Sequence, residues 1–148
     1  MTLTVTPPAQ WTFASPAYAD VEADHGHSPP EGHSGPVPMG LALAEAVAEA
    51  LVQGGCEVPW RWVLHAGHGM EVRVGSGRYD LTVGVTDDEA GRFVAKTEPR
   101  RGLFAGLRRG LPPTWPELLE RVDGALRAMP GLVDVDGPSG GPSNPADG

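Results

Sequence analysis

The sequence predicts an α+β fold, an antiparallel meander sheet of four to six strands with two helices packed on one face. Two observations support this prediction. Between residues 58 and 98, four segments alternate apolar and polar side chains, and the links between them are too short to hold a crossover helix. One segment on each side of this stretch has apolar residues at helical spacing. The sheet should therefore have one apolar face, which the helices cover.

The four meander strands are predicted from their period of two, since successive strand side chains point to opposite faces. In one strand Met70, Val72 and Val74 alternate with Glu71 and Arg73. The links contain glycine, which supplies the positive φ that tight hairpins need. The core-facing residues expected in the other strands are Val58, Trp60, Trp62 and Leu64; Tyr79, Leu81, Val83 and Val85; and Phe93, Ala95 and Thr97.

Two helices flank the meander. The first runs from residue 38 or 39 to Gln53 and stops at Gly54-Gly55, because glycine tolerates the left-handed conformation after a helix. The second is Trp115–Met129, where Thr114 and Glu117 have the spacing of a capping box. Both present an apolar stripe to the sheet.

The composition divides the chain into four regions. They are one or more N-terminal strands (1–14), a flexible loop rich in His, Pro and Gly (15–37), the α+β core (38–135) and a disordered tail (136–148). Within the first region, Trp11–Phe13 is expected as an edge strand. A further edge strand is expected at Leu132–Val135, at the end of the core.

Charge and composition narrow the classes of function. The net charge is −8, and residues 1–60 carry seven acidic side chains without a Lys or Arg. An acidic chain is repelled by phosphate backbones, so we expect no nucleic-acid partner. Electrostatic attraction would instead favour a basic protein as partner. A role in solubility alone is the alternative explanation of the charge. There is no apolar run of 18 residues and no visible signal peptide, so no membrane span is expected. The single Cys56 fits a reducing compartment, hence a cytoplasmic protein, and ten Arg against one Lys suit a GC-rich bacterial genome.

Arginine pairs provide the sharpest functional signal. Arg100 and Arg101 precede a short apolar segment that contains Phe104, and Arg108 and Arg109 follow it. Basic pairs around an apolar patch are typical of contacts with an anionic membrane surface, a phosphate group or an acidic partner. The alternative is a loop that packs its apolar residues on the core while the arginines extend into water.

Tryptophan and histidine residues form a second candidate site. Trp60 and Trp62, with Trp115, would line a ligand groove between the sheet and the second helix, or they simply pack in the core. His65 and His68 flank the first hairpin turn, where they would serve as metal ligands or a general base, or lie exposed as turn residues.

Three histidines of the N-terminal loop are a weaker candidate for a metal site. His25, His27 and His33 lie near acidic residues, but their spacing matches no structural zinc site. A solvated polar loop is the alternative.

The sequence contains no motif that specifies a catalytic residue, a metal or a cofactor. We therefore expect a non-catalytic protein-interaction module of the chaperone, adaptor or immunity kind, with a protein partner, rather than an enzyme. Two alternatives remain open. One is a small-ligand-binding or enzymatic domain with a pocket near Trp60–His68, and the other is a structural subunit of a larger assembly.

Overall fold

A computed structural model describes residues 5–19, 24, 26–30, 33, 35–87, 90–100 and 111–140. The elements within them are β1 (Ala9–Ala14), α1 (Pro16–Ala19), α2 (Leu41–Gln53), β2 (Glu57–Leu64), β3 (Gly67–Val74), β4 (Gly77–Asp87), β5 (Arg92–Pro99), α3 (Trp115–Ala128) and β6 (Val133–Ser139). The strands form one open, antiparallel, six-stranded sheet in the order β2-β3-β4-β5-β1-β6. The predicted α+β class is therefore confirmed, and among the described residues no helix is long and apolar enough to cross a membrane.

The two ends of the chain differ from the prediction. Strand β1 is not an edge strand, because it pairs with β5 on one side and β6 on the other. Strand β6 continues past residue 135, and Asp136 and Ser139 pair with β1, so the predicted disordered tail begins too early. These polar residues carry no apolar alternation, and only their pairing partner reveals them as strand. Residues 141–148 lie outside the described part of the chain.

Helix α2 begins where an acidic side chain reaches its free backbone N–H groups. The carboxylate of Asp24 accepts hydrogen bonds from the N–H groups of Gly40 (3.1 Å) and Ala42 (2.8 Å). A carboxylate at a helix N-terminus also interacts favourably with the helix dipole. The helix ends at Gln53 before the glycine pair, as predicted.

The hydrophobic core lies between the helices and one face of the sheet. Its apolar groups come from helices α2 and α3 and from the alternating positions of the inner strands. Two buried indoles find hydrogen-bond acceptors there: Trp11 donates to Asp123 (3.1 Å) and Trp115 donates to the Val5 carbonyl (2.8 Å). Each fully buried large side chain stabilises the fold by about 1.5–3 kcal/mol.

The start of helix α3 differs from the capping box that we predicted. The Thr114 side chain makes no hydrogen bond to the helix N-terminus. Its hydroxyl instead pairs with the Tyr79 hydroxyl, 2.5 Å away on β4. A buried phenol hydroxyl is normally hydrogen-bonded. Because the Thr114 hydroxyl bonds to Tyr79, it does not cap the helix as the local pattern predicted.

Candidate functional site

Strand β2 changes its exposed face through a β-bulge. Two of its residues, Val58 and Pro59, lie opposite the single Val72 of β3. The bulge turns Val58 toward the core and Trp60 toward the uncovered face of the sheet, where Trp60 lies opposite Glu71. The prediction that all the alternating apolar residues of this strand face the helices is therefore wrong for every residue after the bulge.

Three apolar side chains, Trp60, Trp62 and Leu64, consequently follow one another along the uncovered face of β2. We define these residues with Arg100 as the aromatic–arginine patch. Trp60 is 64% exposed, whereas Trp62 is half-buried. A Cβ on Gly69 would lie 2.3 Å from Trp62 Nε1, so the indole lies directly on this glycine. The Arg100 guanidinium stands 5.8 Å from the centroid of the Trp62 ring, within the range of a cation–π contact.

Next to the tryptophans, charged side chains form two rows across β3, β4 and the end of β5, and Arg100, the residue after β5, belongs both to the patch and to one row. We define a carboxylate row and an arginine row by these residues: Glu71, Asp80 and Glu98 in the first, Arg73, Arg78 and Arg100 in the second. Like charges directly opposite each other in a sheet are destabilising. The two rows are neighbours, so each offsets the repulsion within the other. The sequence alternation predicts Glu71 and Arg73 on the polar face, but only the strand register reveals the rows.

Glu71 is buried, although it lies on a sheet face that no described helix covers. Glu71 is only 2% exposed. Arg73 Nε donates a hydrogen bond to one carboxylate oxygen (2.6 Å), and Arg100 Nη1 donates to the other. Burial raises the pKa of the Glu71 carboxyl, but the hydrogen bonds and charges of the two arginines outweigh burial and hold that pKa below its usual value. Glu71 therefore fixes the position of Arg100 beside Trp62.

Asp80, the next member of the carboxylate row, has the opposite shift. Its Oδ1 atom is buried without a hydrogen bond to any described residue, and it lies 3.9 Å from Arg100 Nε. Burial raises the pKa of the Asp80 carboxyl, and the negative charges of Glu98 and Glu71 raise it further against the opposing charge of Arg100. Two adjacent carboxyl groups thus have pKa values displaced in opposite directions.

The histidines of the first hairpin do not join the tryptophans in one pocket. His65 lies exposed in the turn, whereas His68 is buried and its Nε2 pairs with the Pro38 carbonyl at 2.9 Å. His68 lies on the helix side of the sheet and Trp60 and Trp62 lie on the other side, so the sheet separates them. The alternative in which His68 is an exposed turn residue is also wrong, because it already belongs to β3.

A groove of about 680 Å³ lies between α2 and α3. Ala46, Ala50 and Ala125 contribute small apolar surfaces to it, and Glu49 and Glu120 contribute carboxylates. None of the tryptophans lines this groove: Trp115 is buried against Tyr79 with ring centroids 5.8 Å apart. The predicted tryptophan-lined groove between sheet and second helix is therefore not formed by Trp60 and Trp62.

The N-terminal histidines are dispersed. His27 Nδ1 pairs with Glu45 on α2, and His33 Nε2 pairs with the Pro36 carbonyl at 3.3 Å. Within the described residues, no three His, Cys, Asp or Glu side chains converge on a position where a metal ion could bind. The remaining sequence candidates lie outside the described residues: His25, Arg101, Phe104, Arg108 and Arg109.

Comparison of the chain with protein-family models, with curated proteins and with solved structures gives no match.

Proposed function

We propose that this chain is a non-catalytic protein-interaction module, of the chaperone, adaptor or immunity kind, which binds a partner protein through the aromatic–arginine patch. The observation that carries the proposal is an exposed Trp60 beside the fixed pair of Trp62 and Arg100. Tryptophan and arginine are enriched among the residues that contribute most to protein–protein binding. A reduced Cys56 and a cytoplasmic location belong to the same proposal.

The order within the patch supports a binding role. Association costs about 0.5–1.5 kcal/mol for each long side chain that must be immobilised. Trp62 is already held on Gly69, and Arg100 is held by Glu71, so this cost is reduced before a partner arrives. The arginine side of the patch agrees with the arginine pattern in the sequence, of which Arg100 is the described member.

A photo-crosslinking experiment in the native host tests this proposal. A photoreactive phenylalanine analogue replaces Trp60, and the matched control carries it at Val52, which is 54% exposed on α2. We expect a specific crosslinked protein from position 60 and none from position 52. The same background from both positions would reject the patch as the binding surface. If a crosslinked partner is found and proves to be a toxin, protection of a host that co-expresses it would identify the immunity role among the chaperone, adaptor and immunity roles.

A structural subunit of a larger assembly is the second candidate function, and one observation favours it. No described strand pairs with the outer side of β2, and such open edges are sites at which a further strand can add.

A further inference from the structure

The two edge strands of the sheet, β2 and β6, differ in how readily another strand could pair with them, and β6 is the protected edge. The Arg127 guanidinium donates hydrogen bonds to the carbonyls of Val135 (3.0 Å) and Gly137 (2.8 Å). Asp134 has a positive φ of 54°, and Pro138 has no N–H to offer a neighbouring strand. The β1–β6 register also shifts twice. Irregular backbone, proline and charge are the devices that prevent another strand from pairing with an edge.

The edge at β2 lacks these devices after its bulge. Residues 60–64 pair one by one with residues 67–71 of β3, so this segment is regular strand. Apart from that ladder, no hydrogen bond of the described residues reaches its backbone. Its single charged side chain, Arg61, lies on the helix side of the strand, 3.6 Å from the Glu45 carboxylate, which offsets part of its charge. Pro59 at the bulge limits the open edge to these five residues.

We infer that the open edge of β2 pairs with β2 of a second copy of this chain, antiparallel and about a two-fold axis at Trp62. This inference rests on the proposed function and deepens it, because pairing joins the two patches into one continuous surface. On the uncovered face, Trp60 of each copy lies opposite Leu64 of the other, and Trp62 lies opposite its own equivalent. Apolar pairs directly across two strands are favourable. On the helix side, Arg61 lies opposite Val63.

Other two-fold registers fit the same edge less well. An axis at Arg61 sets two guanidinium groups opposite each other, which is unfavourable. An axis at Val63 leaves Trp60 opposite Ala66, and the large exposed indole then gains little. The pairing is short compared with a standard interface of about 800 Å² per partner. We therefore expect a reversible dimer with a dissociation constant in the micromolar range rather than an obligate one.

Sedimentation equilibrium of the full chain, over concentrations from low micromolar to near millimolar, tests the inference. Two double variants are compared: Trp60→Lys with Leu64→Glu, and Trp60→Lys with Leu64→Lys. In the inferred register, the first pair sets lysine opposite glutamate at both symmetry-related positions, and the second sets lysine opposite lysine. We expect the Lys/Lys variant to dissociate about ten- to thirty-fold more readily than the Lys/Glu variant. A Val52→Lys variant controls for added charge and should retain the wild-type dissociation constant.

Each result supports or overturns the inference. A reversible wild-type dimer with the Lys/Glu variant stronger than the Lys/Lys variant supports it. A monomer at every concentration, or a dimer that both double variants weaken equally, overturns it. The proposed function has its own readout, since a crosslink from position 60 to a different protein would stand even if the wild type were monomeric. Far-UV circular dichroism checks that each variant is folded.

Discussion

Replacing Glu71 with glutamine tests how strongly the buried carboxylate orders the uncovered face. The substitution preserves shape and removes the charge that Arg73 and Arg100 share. Removing one partner of a buried ion pair costs about 3–5 kcal/mol. The side chains of Arg73 and Arg100 are 31% and 43% exposed, so water compensates for part of the loss. We therefore expect the free energy of unfolding to fall by about 2 kcal/mol at neutral pH.

The pH dependence separates this cause from a simple packing defect. Because the pKa of Glu71 is lower in the folded chain than its ordinary value of 4.5, the unfolded chain binds the proton more tightly. The stabilisation is complete above that ordinary value and is lost as the pH falls through the folded pKa. In urea unfolding, the difference between wild type and Glu71→Gln should therefore shrink toward acid pH. A difference that is constant with pH, or none at neutral pH, would refute the reasoning. Glu98→Gln is the control; it lies in the same row but is exposed, so its effect should stay within about 0.5 kcal/mol.

Three further predictions concern other positions in the fold. Asp80→Asn should stabilise the chain at neutral pH, because the raised pKa of Asp80 makes its ionisation unfavourable in the fold; thermal melts should show the gain disappearing as pH falls through that pKa. Gly69→Ala should displace the Trp62 indole, lower the free energy of unfolding by about 1–3 kcal/mol in a urea titration and change the near-UV circular dichroism. In the same titration Gly124→Ala should raise the free energy of unfolding by about 0.5–1 kcal/mol, because Gly124 lies within helix α3 and an added Cβ would meet open space. The Cys56 thiol is buried, which raises its pKa, so its reaction with a disulfide reagent should be slow and should accelerate in parallel with urea unfolding.

The helices could be predicted closely because their signals are local. Helix α2 ends where the glycine pair follows Gln53, and α3 begins at Trp115 as the sequence indicates. Sheet order could not be predicted in this way. Strand β1 pairs with β5 and β6, which are far from it in the sequence. The sequence of β1 itself does not indicate which strands it pairs with. The apolar alternation of Trp11 and Phe13 fits a central strand as well as an edge strand.

The candidate site was predicted in part, and the bulge explains where the prediction fails. Trp60, Trp62 and Arg100 were identified from residue type, and all three lie in the patch. Their face was misassigned, because the alternation of β2 is unbroken in sequence while Val58 and Pro59 share one partner in the sheet. The pairing of Glu71 with Arg100 joins residues of β3 to the chain after β5, which a single sequence does not specify.

Local and total charge suggest different partners for this chain. The net charge of −8 favours basic proteins when the molecule is treated as a whole. The uncovered face differs, because its carboxylate row and its arginine row place charges of both signs side by side next to Trp62. Electrostatic attraction at close range depends on the surface that is touched, since salt screens charges beyond about 8–10 Å. The sign of the whole chain therefore governs solubility and long-range steering, whereas a partner on the aromatic–arginine patch meets arginine and carboxylate side chains together beside exposed tryptophan.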